Sequence, residues 1–451
     1  MAEYGILTLV PTLVVVILAL WSHRTIESLL AGTIVGLFIL EPTAPLQLLA
    51  EKSLAVMMNE TVAWIILVCG FMGSLIGLFI RTGAIGAFTQ TVIHRISSKR
   101  QALFTAWVLG IFLFVDDYLN SLAVGAAMRK VTDSYKTSRE MLAYVVDSTA
   151  APISVVIPIS TWAVFFGALL VDNGIAAEGE GVRTYISSIP YMFYAWVAFL
   201  MVPLVISGRI PLIGPMRKAE ARAASGQTVP PDALHIEEAN QSIMPKPGVE
   251  GRSWQFIVPI IVLAASTFYF DLDFLKGIYL TLALYVLMIV GGRTLTMSET
   301  FETILDGFKT MIAPLAVLAA AYLLKEINDE LGLAIYVIEM LTPYLTATLL
   351  PAAVFISMAG LSFATGSNWG VFVIVLPIVT SLANSLGADM TLVIGATLSA
   401  STFGSHACFY TDATVLTAQA TGCTPYQHAI TQIPYALIAA GISVLGYLLI
   451  A

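Results

Sequence analysis

Four carboxylates stand in otherwise apolar stretches. Asp116 and Asp117 lie in FVDDYLNS (Phe114 to Ser121), Asp147 in VVDSTAAPISVVIPIST (Val145 to Thr161), and Asp412 in LSASTFGSHACFYTDAT (Leu398 to Thr414). A charge at the centre of a membrane helix costs about 2.5–3.5 kcal/mol on insertion scales, so such residues are kept where they pair, face a wet cavity or bind something. Asn120 and Ser121 follow the first pair, and Ser148 and Thr149 follow Asp147. Pro152 and Pro158 then interrupt the helix. A broken helix frees carbonyls and aims half-helix termini at the membrane midplane. Hard oxygen donors of this kind suit Na⁺ rather than a transition metal.

A second pair of strings repeats the theme. FATGSNWG (Phe363 to Gly370) supplies Thr365, Ser367 and Asn368, and the Asp412 string adds Ser405 and His406. One cation site is expected from Asp117, Asn120, Asp147 and Ser148, and a second from Ser367, Asn368 and Asp412. Asp116, Ser121, Thr149, Thr365, Ser405 and His406 are further candidates for binding. An imidazole with an ordinary pKa of about 6.5 suits a proton-linked role. Plainer roles compete with each assignment. Asp116 or Asp117 can face water at a hairpin tip, Asp147 can cap a half-helix, and each hydroxyl can bond its own backbone. Trp162 and Trp369 lie nearest the polar strings and are candidate substrate contacts.

The elements that hold these residues belong to a membrane protein. The chain has 451 residues, 58% apolar and 11% charged, with a mean hydropathy of +0.87. Soluble domains average about 25% charged residues. Apolar spans are expected at about 5–21, 26–40, 62–80, 142–170, 189–207, 254–270, 275–291, 310–330, 390–418 and 432–450. The stretches 102–128 and 346–386 carry polar strings at their middles and suit re-entrant hairpins. The polar stretch 208–253 reads as a flexible cytoplasmic linker between a first half, 1–207, and a second, 254–451. Cys69, Cys408 and Cys423 match no metal spacing, no Walker-type phosphate loop is present, and no basic patch suits nucleic acid. Met1-Ala2-Glu3-Tyr4 lacks a basic n-region, so the first span is not expected to be a cleaved signal.

The halves align at a near-constant offset. Pro11 pairs with Pro259 and Asn120 with Asn368 at 248 residues, Gly83 with Gly332 at 249, and Ile189-Pro190-Tyr191 with Ile433-Pro434-Tyr435 at 244. Five crossings and one re-entrant hairpin per half put Lys52, Arg183, Lys276 and Lys325 on one side and the other 17 of the 21 Lys and Arg residues opposite. The rich side is expected to be cytoplasmic, with both termini outside. An odd number of crossings inverts the second half. The expected fold is thus all-α and polytopic, with two inverted repeats and broken helices at the midplane.

FVDDYLNSLAVG, YVVDSTAAPISVVIPISTW, TGSNWG and GSHACFYTDATVLTA resemble the NhaC-type sodium/proton antiporter family of the ion transporter superfamily. That resemblance implies binding at the hairpin tips and a homodimer whose transport domain moves like an elevator. It also implies a place in the cell (inner) membrane. One position departs from the family: Ser405 stands where relatives often place an aspartate ahead of the histidine. The expected function is a sodium-coupled secondary transporter exchanging Na⁺ for H⁺, with no cofactor beyond the coupling ion. A Na⁺- or H⁺-coupled carrier of a small organic solute, an amino acid or carboxylate, is the alternative that Ser405 favours. An intramembrane hydrolase built on Asp116, Asp117 and Asp147 is a poorer fit, because hydrolysis does not account for two inverted halves.

Overall fold

The structure is a computed structural model. It describes residues 4–451 apart from 23, 115, 235, 237–242 and 367. Among the described residues, every regular element is helical. The first half runs α1 (Val10–Ser22), α2 (Thr25–Leu40), α3 (Pro45–Met58), α4 (Glu60–Arg81), α5 (Ala84–Ile93), α6 (Lys99–Phe112) and α7 (Asp117–Ser134). It continues with α8 (Arg139–Asp147), α9 (Ala151–Val156), α10 (Thr161–Asp172), α11 (Gly181–Ser188) and α12 (Phe193–Ile206). After α13 (Gly214–Ala224) come α14 (Trp254–Tyr269), α15 (Phe274–Gly291), α16 (Met297–Lys309), α17 (Ile312–Leu331) and α18 (Leu333–Leu341). The chain ends with α19 (Leu350–Thr365), α20 (Asn368–Leu386), α21 (Met390–Ala407), α22 (Asp412–Thr421) and α23 (Pro425–Ile450).

The starts of α6, α7, α8 and α10 recur 251 residues later as the starts of α19, α20, α21 and α22. By helix start, Asp117 therefore corresponds to Asn368, not Asn120. One break has no counterpart. The first half stops at Asp147 and restarts at Ala151, where Pro152 removes a backbone donor. The equivalent stretch of the second half contains no proline, and α21 runs through unbroken.

Ten crossings were expected. Among the described residues five helical runs are long and apolar enough to cross a membrane, or eight if each bent pair counts as one span. Breaks account for the difference: α2 and α3 meet at 119°, and stretches such as Gly5–Ala19 and Trp254–Tyr269 fall short of 18 residues. The stretch 208–253 is also not simply a flexible linker, because α13 docks on the bundle. Glu220 pairs with Lys99 and accepts the Ser138 N–H at 2.8 Å. Arg222 forks onto Glu140 at 3.0 and 2.7 Å.

Small residues set the seam between the halves. α4 presents Gly70, Gly73 and Gly77 to α16, and a Cβ on Gly73 would lie 2.5 Å from the Gly307 carbonyl oxygen. Such faces bring helix backbones together where lipid supplies no hydrophobic drive. Deeper in, α7 packs on α22. A Cβ on Gly125 would lie 2.7 Å from Ala420 Cβ, and Thr417 donates to Ser121 Oγ at 2.9 Å. The most apolar window of the run Met390–Thr421 is entirely buried, so protein rather than lipid surrounds the polar strings there.

Candidate functional site

Three helix N-termini converge on buried carboxylates. Asp116 caps α7, its Oδ1 accepting the N–H groups of Tyr118 and Leu119 at 3.0 Å each. Its Oδ2 accepts the Thr161 hydroxyl, from the first residue of α10, at 3.2 Å. Asp412 opens α22 and accepts the Tyr118 hydroxyl at 2.5 Å. Asp117 is 2% exposed, and its Oδ1 has no hydrogen-bond partner among the described residues. The Trp162 side chain lies against it.

A second cluster lies where α8 and α21 end. Asp147 Oδ2 accepts Gln432 Nε2 at 2.7 Å and meets His428 Nε2 at 3.0 Å. Gln432 Nε2 also donates to the His406 carbonyl. The His406 ring is held on both sides, by Ser148 Oγ at 2.8 Å and Tyr194 Oη at 2.7 Å. Asn120 ties the two clusters together, its amide donating to the Gly110 and Thr149 carbonyls at 2.7 and 2.6 Å. The break after α8 therefore does free a carbonyl, and Asn120 takes it.

Several buried oxygens are left without partners among the described residues: Asp117 Oδ1, Asn120 Oδ1, Asp147 Oδ1, Ser405 Oγ and Gln432 Oε1. An unsatisfied buried polar group costs about 1–3 kcal/mol. A set of carboxylate, amide and hydroxyl oxygens matches a hard monovalent cation. Among the described residues no three His, Cys, Asp or Glu side chains form a metal cluster.

A family model described as the Na⁺/H⁺ antiporter family matches residues 164–451. The chain belongs to the Na⁺/H⁺ antiporter family. It is a multi-pass membrane transporter, of a family that carries Na⁺ and H⁺ and is not an enzyme class. An uncharacterised protein of Haemophilus influenzae is 26% identical, the match covering 98% of this chain and 90% of that one. The solved structure of MtrF from Neisseria gonorrhoeae, described as illuminating a class of antimetabolite efflux pumps, overlaps 91% of this chain and 85% of its own. Its TM-score is 0.36 and its identity 11%, too distant to inform this antiporter's site.

Within this family member, the residues singled out from the strings separate into roles. Asp117, Asp147, Asn120 and Ser405 carry the unpartnered oxygens. Asp116 is a helix cap, and Ser121 joins α7 to α22. Thr149 Oγ1 bonds back to the Val145 and Val146 carbonyls, and Thr365 Oγ1 to the Leu361 carbonyl. Ser148 and His406, from different halves, bond each other, while Asp412 bonds the first half's Tyr118. Ser367 lies outside the described residues, as do the side chains of Asn368 and Trp369. Tyr118, Thr161, Tyr194, His428 and Gln432 join the site without being singled out by the sequence pattern. Tyr118 sits inside the first string, and His428 and Gln432 stand four apart on the apolar α23, a spacing that puts both on one face.

Proposed function

We propose that the protein is a Na⁺-coupled secondary active transporter that exchanges Na⁺ for protons. The cation is held where Asp117 and Asp412 approach across Tyr118, with Asp147, Asn120 and Ser148 forming its neighbouring shell. The observation that carries this is the Tyr118–Asp412 bond beside the unpartnered Asp117 Oδ1. It brings carboxylates from both halves to one buried place. Na⁺ and protons compete for such carboxylates, and that competition is exchange. Two inverted repeats, with α6–α7 and α19–α20 as re-entrant hairpins, complete the proposal. Its support is the 251-residue recurrence of four helix starts and the uneven Lys and Arg distribution. An elevator movement of the broken-helix core against the α4–α16 seam, in a homodimer, supplies alternating access.

Purified protein in liposomes with an imposed Na⁺ gradient and an internal pH dye tests the exchange. Na⁺-dependent proton movement is expected, and its absence from protein that still binds Na⁺ refutes it. Coupled carriage of a small organic solute is the second reading, favoured by the unpartnered Ser405 Oγ. Thermal stabilisation by an amino acid or carboxylate, beyond that from Na⁺ alone, would select it.

A further inference from the structure

A cavity of about 550 Å³ lies between α22 and the first turns of α17. Arg24, Glu27 and Asp232 line its rim, and Ala313, Pro314 and Val317 its far wall. Val415, Gln419 and Cys423 line the near wall. Val415 and Gln419 follow Asp412 by three and seven residues on one face of α22, and Cys423 lies just past the helix end at Gly422. At a rise of 1.5 Å per residue, Val415 is about 4.5 Å and Gln419 about 10 Å along the axis from Asp412. Thr417 and Ala420 lie against α7 instead. One face of α22 is thus packed on α7, and the other borders the cavity at Val415 and Gln419, starting one turn beyond Asp412.

The lining chemistry suits water and cations. Arg24 is held by Glu27 at 3.2 Å, while Asp232 adds a further carboxylate that accepts the Gln427 amide at 3.1 Å. Gln419 and Thr424 supply polar groups within. A site needs roughly 10–15 Å³ of such space per water and a few polar partners, both present here. By contrast, a cavity of about 210 Å³ lined by Leu109, Phe112 and Ile261 is apolar on every side.

We infer that the larger cavity is the aqueous vestibule through which a hydrated monovalent cation reaches Asp412, entering at the Arg24 face and following Gln419 and Val415. The inference rests on Asp412 as a cation ligand. Thiol labelling tests it in oriented vesicles with a cationic, membrane-impermeant methanethiosulfonate. Gln419→Cys and Val415→Cys in a Cys423→Ala background are the reporters, because native Cys423 is fully buried beside Thr421. The reagent is expected to modify both from the Arg24 face and to leave Leu109→Cys unreacted. Na⁺, but not choline, should slow the Val415→Cys reaction several-fold. Labelling of these positions only by a lipid-soluble maleimide, or only from the opposite face, overturns the vestibule. Labelling without Na⁺ protection overturns Asp412 as its terminus. Loss of Na⁺-driven proton flux in the wild type would strike the exchange and leave the labelling pattern standing, so the two failures are separable.

Discussion

The Tyr118 hydroxyl donates to the Asp412 carboxylate at 2.5 Å, joining the second residue of α7 to the first residue of α22 across 294 positions of chain. Tyr118→Phe keeps the ring that packs on Trp64 at 5.6 Å but removes the donor. A buried carboxylate oxygen left without it costs about 1–3 kcal/mol. The melting temperature in Na⁺-free buffer should fall, and Na⁺, the other means of satisfying that oxygen, should raise it by more than in the wild type. An equal or smaller Na⁺ effect in the variant would count against cation contact at Asp412.

Asp116 and Asp117 are neighbours with different tasks. Asp116 is committed to capping α7 and to Thr161, whereas Asp117 has a buried oxygen to offer. Asn caps helices about as well as Asp. Asp116→Asn should therefore stay within about 1 kcal/mol of wild-type stability and keep measurable transport, whereas Asp117→Asn should fold but lose Na⁺-dependent flux. Equal loss in both variants contradicts the division, with flux in liposomes and melting temperature as the readouts.

Asn120 Nδ2 serves two carbonyls, those of Gly110 and Thr149. Asn120→Ala strips donors from both, so a loss of roughly 2–4 kcal/mol is expected from two unmet acceptors. Thermal or denaturant unfolding in detergent checks this, and a change under about 0.5 kcal/mol would show that the bridge does not hold the break after α8.

The glycine seam makes a prediction that does not depend on ions. Gly73→Ala forces a Cβ to 2.5 Å from the Gly307 oxygen, while the same change at exposed Gly86 meets nothing within 4 Å. Overpacking costs about 1–3 kcal/mol, and Ala in an open helical position gains up to about 1 kcal/mol over Gly. Opposite signs of melting-temperature shift are expected, and matching signs would mean that the α4–α16 contact is looser than described.

Much of this architecture is legible in the chain because the surroundings are so apolar. Against Leu, Ile and Val, the strings around Asp117, Asp147 and Asp412 stand out, and Pro152 marks the break after Asp147. Which side chains meet across the halves is not legible. Tyr118 reaches Asp412, and Ser148 reaches His406, only because α7 packs on α22 and α8 and α21 end near each other. His428 and Gln432 resemble isolated core polar residues until both are seen to bond Asp147 Oδ2. The stretch 208–253 looks like a linker by composition. Its Glu220 and Arg222 find partners at Lys99 and Glu140 that composition does not reveal.

The central claim is that carboxylates from both halves, Asp117 and Asp412, hold one transported cation. The most direct measurement is Na⁺-gradient-driven proton flux in proteoliposomes carrying the wild type, Asp117→Asn or Asp412→Asn, each confirmed as folded. The account predicts flux in the wild type and none above protein-free liposomes in either variant. Flux in Asp412→Asn with the Na⁺ dependence of the wild type would contradict it.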